Sequence, residues 1–264
     1  MRANTALHRF PPLVSLAVVL GLCVLFKWRF AEADALTLEW ILRPTSALVS
    51  LVTGMVFVSH GAAGYYNDAQ AILIAPACSG LNFFIILLAT GGCLTVRGRK
   101  GLRKRLPWFA GVLVAAFAVT LAVNTVRILA AIFLYHHGVS IGPLGPEQIH
   151  RIEGVIVYYV CLCGFALAFS AFLRATGPRL AGARYSRPGL SVFLPLGCYL
   201  LFTLGIPLAN GAAAKFPGAF AEHSLTVLLL SLGLSFGLYC VYRKQSGGRN
   251  AMTEHGEEAE QDGQ

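Results

Sequence analysis

The sequence predicts an all-α, polytopic integral membrane helix bundle of about six spans with a small extracytoplasmic β-hairpin. Two observations on the whole chain carry this. Of its 264 residues 56% are hydrophobic and only 12% charged, about half the charge that a water-facing surface carries. The apolar residues also run in blocks near the roughly 20 residues that a spanning helix needs. A third observation is where the basic residues fall: between the blocks rather than in one patch interleaved with aromatics. The net charge of +9 is therefore read as a record of membrane orientation, with lipid as the partner and no nucleic acid.

The blocks lie at about 11–28, 79–96, 107–135, 152–173, 190–209 and 223–242. Each is apolar enough to be a span. The first also resembles a signal peptide, since Ala31-Glu32-Ala33 and Ala33-Asp34-Ala35 follow it as A-x-A sites. A weaker block, 45–58, is short and follows Glu32, Asp34, Glu39 and Arg43; it reads as an interfacial or re-entrant helix. Next come Val56-Phe57-Val58, Tyr65-Tyr66, Asn67-Asp68 and Ala71 to Ile74. Two β-prone runs around an Asn-Asp turn predict the outer hairpin, which delivers the chain through Pro76 to Cys78. Residues 1–244 form one membrane domain, and the polar residues 245–264 are expected to be a disordered cytoplasmic tail.

Orientation follows from lysine and arginine. Arg2 and Arg9, the run Arg97 to Arg105, then Arg174, Arg179, Arg184 and Arg187, and finally Arg243, Lys244 and Arg249 fall on one side. Only Lys27, Arg29, Arg43, Arg151 and Lys215 fall on the other. This excess places both termini in the cytoplasm of a cell (inner or plasma) membrane. Residues around 78 and 136–151 are then outside.

Three polar features interrupt the apolar pattern. In Ala75-Pro76-Ala77-Cys78-Ser79-Gly80-Leu81-Asn82, Pro76 cannot sit in a helix interior, so the second span should begin near Cys78 or Ser79. A thiol there meets the free N–H groups and positive end of the helix dipole, which favour an anionic sulfur. Ser79 is a candidate cap, and Gly80 would leave room for a substrate backbone. In Val123-Asn124-Thr125-Val126-Arg127-Ile128-Leu129, an arginine lies about 20 residues past Pro107, roughly 30 Å along the axis and so near the outer face. Arginine within a span faces protein or water, or snorkels to the headgroups. Asn124 shares its helical face. In Pro146-Glu147-Gln148-Ile149-His150-Arg151-Ile152-Glu153-Gly154, His150 sits in the first turn of the fourth span, with Gly154 one turn deeper, leaving space beside the imidazole. Glu147 and Glu153 suit a helix N-terminus by dipole alone.

The remaining six cysteines lie in apolar blocks, where a thiol behaves as a small hydrophobe. Neither a zinc H-E-x-x-H motif nor a G-x-S-x-G elbow occurs, and no metal or organic cofactor is expected. A thiol, a guanidinium and an imidazole at one depth from three helices are the parts of acyl transfer through cysteine: nucleophile, oxyanion holder, and acid for the leaving amine. The expected catalytic residues are Cys78, Arg127 and His150, with Ser79, Gly80, Asn124 and Gly154 as substrate-binding positions. The competing reading is a non-enzymatic carrier or scaffold whose polar path is lined by Arg127 and His150; a carrier spreads its polar groups through the bilayer depth.

Over about residues 40–175 the chain resembles the exosortase/archaeosortase family of membrane transpeptidases. The resemblance lies in Ala77-Cys78-Ser79-Gly80-Leu81, in Asn124-x-x-Arg127-Ile128 and in His150-x-x-x-Gly154. After Leu81 the sequence departs from the common pattern, with Asn82-Phe83-Phe84 where an Arg/Ser-containing stretch is usual. The resemblance implies a cysteine nucleophile completed by the arginine and histidine. It also implies partners: exported proteins whose C-terminal sorting signal is a short motif, a membrane helix and a basic tail, cleaved outside and passed to an acceptor.

Overall fold

A computed structural model describes residues 12–99, 102–138, 145–176 and 188–261. Arg2, Arg9, Lys100, Arg179, Arg184 and Arg187 of the orientation argument lie outside the described residues, as do residues 262–264 of the tail.

Six helices are long and apolar enough to cross a membrane. In lipid the backbone must satisfy its own hydrogen bonds, so these apolar blocks have no alternative to helix. They are α1 (Pro12–Arg29), α3 (Leu81–Gly98), α4 (Leu102–His136), α5 (Pro146–Ala175), a fifth span begun by α6 (Pro188–Leu200), and α9 (Pro217–Gln261). Helix α6 continues through a π turn, Leu201–Gly205, into α7 (Ile206–Ala209), and α8 (Ala212–Lys215) follows. The weak block forms α2 (Glu39–Thr53), which at 15 residues is short for a crossing.

Helix α3 is the centre of the bundle. Of its most apolar stretch 72% is buried, against 11% for α1 and 17% for α4, so those two spend most of their surface on lipid. Small residues let the neighbours close in. A methyl group on Gly91 would lie 2.7 Å from Val112 of α4, and one on Gly92 would lie 2.6 Å from Val19 of α1. Buried Phe83, Phe84, Leu87, Tyr159, Leu162 and Phe202 fill the space between α3, α5 and the α6 segment.

Arginines fasten one end of the bundle. Arg105 is 3% exposed and donates to Ser15 Oγ (2.6 Å), to the Arg99 carbonyl (2.7 Å) and to the Val96 carbonyl (3.2 Å). Arg99 lies 4.2 Å over the Trp108 ring and donates to Thr176 Oγ1 at 2.7 Å. Thus residues read as topology markers also tie α1, α3 and α5 together. At the opposite end, Lys27 of α1 donates to Asn82 Oδ1 (2.5 Å) and to the Phe202 carbonyl (2.6 Å). That carbonyl is free for a reason in the sequence. In the π turn Ile206 N–H reaches back to the Leu201 carbonyl, and the next donor in that register would be Pro207, which has no N–H.

Four expectations are revised. The outer hairpin is a three-stranded antiparallel sheet, ordered β1 (Val58–Ser59), β2 (Tyr65–Asn67), β3 (Ile72–Ile74). The expected hairpin is its β2–β3 pair, with Tyr65 opposite Ile74 and Asn67 opposite Ile72. Asn67 holds the turn by accepting from Gln70 N–H (2.9 Å) and donating to the Val56 carbonyl (2.7 Å). Helix α2 starts at Glu39 rather than Thr45, running through Pro44, because burial of Ile41, Leu42 and Val49 with Ile128 and Ile132 of α4 outweighs one lost backbone bond. The fourth span begins at Pro146, a residue suited to the first helical position. Helix α9 runs to Gln261, over residues expected to lack structure; Ala, Met, Glu and Gln there favour helix on intrinsic propensity.

Candidate active site

Cys78 closes a single 3₁₀ turn, Pro76–Cys78, and α3 begins only at Leu81. The helix therefore starts later than Pro76 suggested. Gly80 intervenes at φ 73°, a left-handed conformation that costs other residues roughly 1–2 kcal/mol. A methyl group there would also meet Asn124 Cγ at 3.0 Å and Thr120 Cγ2 at 3.1 Å. Gly80 thus makes room for α4, where the sequence reading expected a substrate backbone. Ser79 does part of the capping expected of it, its Oγ accepting from Leu81 N–H at 3.3 Å.

Asn124 of α4 is fully buried. Its Nδ2 donates to the Cys78 carbonyl at 2.7 Å, and its Oδ1 accepts from the Tyr158 hydroxyl at 2.7 Å. One side chain thereby fixes the backbone of the thiol residue to two spanning helices. The Tyr158 ring in turn stacks on Phe83 of α3, centroids 4.6 Å apart at 10°.

One helical turn from Asn124, Arg127 meets His150. Its Nη2 lies 2.9 Å from His150 Nε2. A guanidinium can only donate, so Nε2 accepts and the ring proton is on Nδ1. That N–H faces Glu153 Oε2 at 3.5 Å, with the Glu153 side chain 13% exposed. The guanidinium also lies 5.3 Å over the Tyr158 ring. Gly154 provides the room: a methyl group on it would stand 2.9 Å from Arg127 Nε. The space beside the imidazole predicted from Gly154 exists, and the guanidinium fills it.

Cys78 and His150 share the wall of a cleft of about 330 Å³, lined also by Ala71 to Ile74, by Ile128, Ala131 and Ile132 of α4, and by Ile149. The lining is mostly apolar. The structure thus brings Cys78, Arg127 and His150 to one end of the bundle, from three elements. Arg127 stands behind His150 and is not part of the cleft wall. Ser79, Gly80, Asn124 and Gly154 are all buried and none lines the cleft. They sit between the helices, where the close approach of α4 to α3 and α5 fills the space they leave.

Two residues of this constellation escaped the sequence reading. Tyr158 continues the four-residue spacing of His150 and Gly154 along one face of α5, and that period was the available signal. Glu153 was visible only as a companion of the helix dipole, and its approach to Nδ1 depends on the tautomer that Arg127 imposes. Among the described residues no group of three His, Cys, Asp or Glu side chains converges as a metal site, and all seven cysteines are free thiols.

A family model described as transmembrane exosortase matches residues 11–167, more than half of the chain. No curated protein matches, and no solved structure does.

Proposed function

The chain belongs to the transmembrane exosortase family, and from that membership we propose that it is a cysteine-dependent membrane transpeptidase or peptidase acting through Cys78. Its substrates are exported proteins bearing a C-terminal motif, a membrane helix and a basic tail. It works on the outer face of the inner or plasma membrane, with both termini in the cytoplasm.

The reading rests above all on one observation, that the imidazole sharing the cleft with Cys78 is hydrogen-bonded to Arg127 at 2.9 Å. At rest the guanidinium occupies the Nε2 lone pair. When the scissile carbonyl enters, the guanidinium swings from behind the imidazole into the cleft to meet its oxygen, and Nε2 is released to take the thiol proton. Sulfur attacks the carbonyl carbon while Arg127 holds the oxyanion. The C–N bond then breaks, and the imidazolium returns its proton to the departing amine. Glu153 facing Nδ1 steadies the imidazolium between these steps. The thioester left on Cys78 is opened by an acceptor amine or another nucleophile, which restores the thiol.

The test compares the mass of a candidate exported protein with a C-terminal helix and basic tail in cells carrying the wild-type chain or Cys78→Ala. Processing is expected with wild type alone, while the variant still accumulates. Normal processing by Cys78→Ala would sink the reading. Arg127→Lys keeps a charge but loses the planar fork, so it is expected to lose most activity; full activity would reduce the role of Arg127 to a point charge.

A further inference from the structure

We propose that the substrate segment entering the Cys78 cleft does so as an extended strand added to the free edge of β3, with the backbone of Leu73 as its docking point. This rests on the catalytic reading of Cys78 and names how its peptide is held.

Among the described residues β3 pairs only with β2, which makes it an edge of the sheet. The hydrogen-bonding parity of β2 can be read from two contacts. His60 N–H donates to the Gly64 carbonyl at 2.8 Å, so Gly64, and with it Tyr66, turns its backbone toward β1. Tyr65 and Asn67 therefore turn theirs toward β3, as antiparallel alternation requires. Consistent with this, the Ile74 carbonyl oxygen lies against Gly64, 2.3 Å from where a methyl group would stand. Ile72 and Ile74 thus spend their backbone groups on β2, and Leu73 presents its N–H and C=O at the open edge.

That edge runs along the cleft. A cavity over one face of a strand touches alternate residues, whereas this one touches Ala71, Ile72, Leu73 and Ile74 in succession and then Cys78. Edge donors and acceptors beside an apolar trough are what an extended peptide uses, its backbone supplying affinity and its alternate side chains specificity. Here the trough walls, Ile128, Ala131 and Ile132, select apolar side chains. The strand leads toward Cys78, so an added peptide would present successive carbonyls along a line toward the thiol.

The test uses membranes holding the full chain and an apolar tetrapeptide chloromethyl ketone, which alkylates a cysteine by forming a C–S bond with loss of chloride. Iodoacetamide serves as the reference for intrinsic access to Cys78. N-methyl groups are walked along the peptide amides. Labelling of Cys78 is expected to fall about tenfold when the methyl blocks an amide facing Leu73, the loss of one or two hydrogen bonds, and to be unaffected at the neighbouring position. Leu73→Pro, which removes the outward N–H at an edge where proline is tolerated, is expected to slow peptide labelling similarly while iodoacetamide labelling stays unchanged; Leu73→Ala, which keeps that N–H and loses only side-chain contact, is expected to slow it less. Equal labelling by every methylated peptide, with Leu73→Pro at the wild-type rate, would overturn strand addition and leave the nucleophile reading intact. Failure of both reagents to label Cys78 would remove the two together.

Discussion

Gly154 is the residue at which shape and chemistry separate most cleanly. A methyl group there meets only the far end of a flexible side chain, Arg127 Nε at 2.9 Å, while alanine improves the helix by about 0.5–1 kcal/mol. Gly154→Ala is therefore expected to accumulate normally. Its processing rate should nevertheless fall by about 10²-fold, the scale of a 1 Å misplacement at a reacting centre, because the guanidinium is pushed off His150. Substrate mass analysis beside a thermal melt in detergent would check both halves, and loss of stability with unchanged rate would refute them. Asn124 predicts the opposite balance. Asn124→Leu bares the Cys78 carbonyl and the Tyr158 hydroxyl, each at about 1–3 kcal/mol, and should lower the melting temperature clearly. The sequence disclosed these side chains as polar groups that lipid should exclude, and a cost of that kind is readable from residue type alone. What each one touches was not readable. Gly80, Asn124 and Gly154 were expected to face a substrate, and they face one another's helices.

Among elements, the π turn and the lysine opposite it form a pair that a double-mutant cycle can test. Lys27→Met leaves the Phe202 carbonyl and Asn82 without their donor, a loss of about 1–3 kcal/mol for a buried acceptor. Pro207→Ala supplies an N–H in the register that the proline leaves empty. The cost of Lys27→Met, read from thermal melts, should be smaller in the Pro207→Ala background; an unchanged cost would show that the carbonyl has no claim on either donor. The spanning helices were legible in the sequence because lipid demands length and apolarity, and both are local properties. Element starts were less so. Pro44 reads as a breaker, yet α2 runs through it, held by Ile41, Leu42 and Val49 against a helix some 85 residues later in the chain. The third strand escaped because it is only two residues long: Val58 and Ser59 pair with Tyr66 and Tyr65 across a loop whose turn signal, Gly61 and Gly64 at positive φ, has too little β-prone sequence before it to announce a strand.

For the molecule as a whole, antiparallel succession of α3, α4 and α5 explains why residues 78, 127 and 150 gather at one end. Alternation of spans was the part of the site most accessible to sequence reasoning. Side assignment follows from lysine and arginine and makes a direct prediction. In a chain stripped of its native cysteines, a single cysteine at Gly138 should react with a membrane-impermeant maleimide added to intact cells. One at Arg97 should react only after lysis. The reverse pattern would invert the orientation and move the cleft to the cytoplasm. One consequence concerns how this end of the bundle responds to bilayers of different thickness. Asn124, which grips the Cys78 backbone, and Arg127, which grips the His150 ring, are one turn apart on the same helix. A spanning helix adjusts to hydrophobic mismatch largely by tilting. When α4 tilts or slides, both grips travel with it as a common displacement, so the gap between sulfur and imidazole is gauged by a single rigid turn and is insulated from the thickness of the lipid around it.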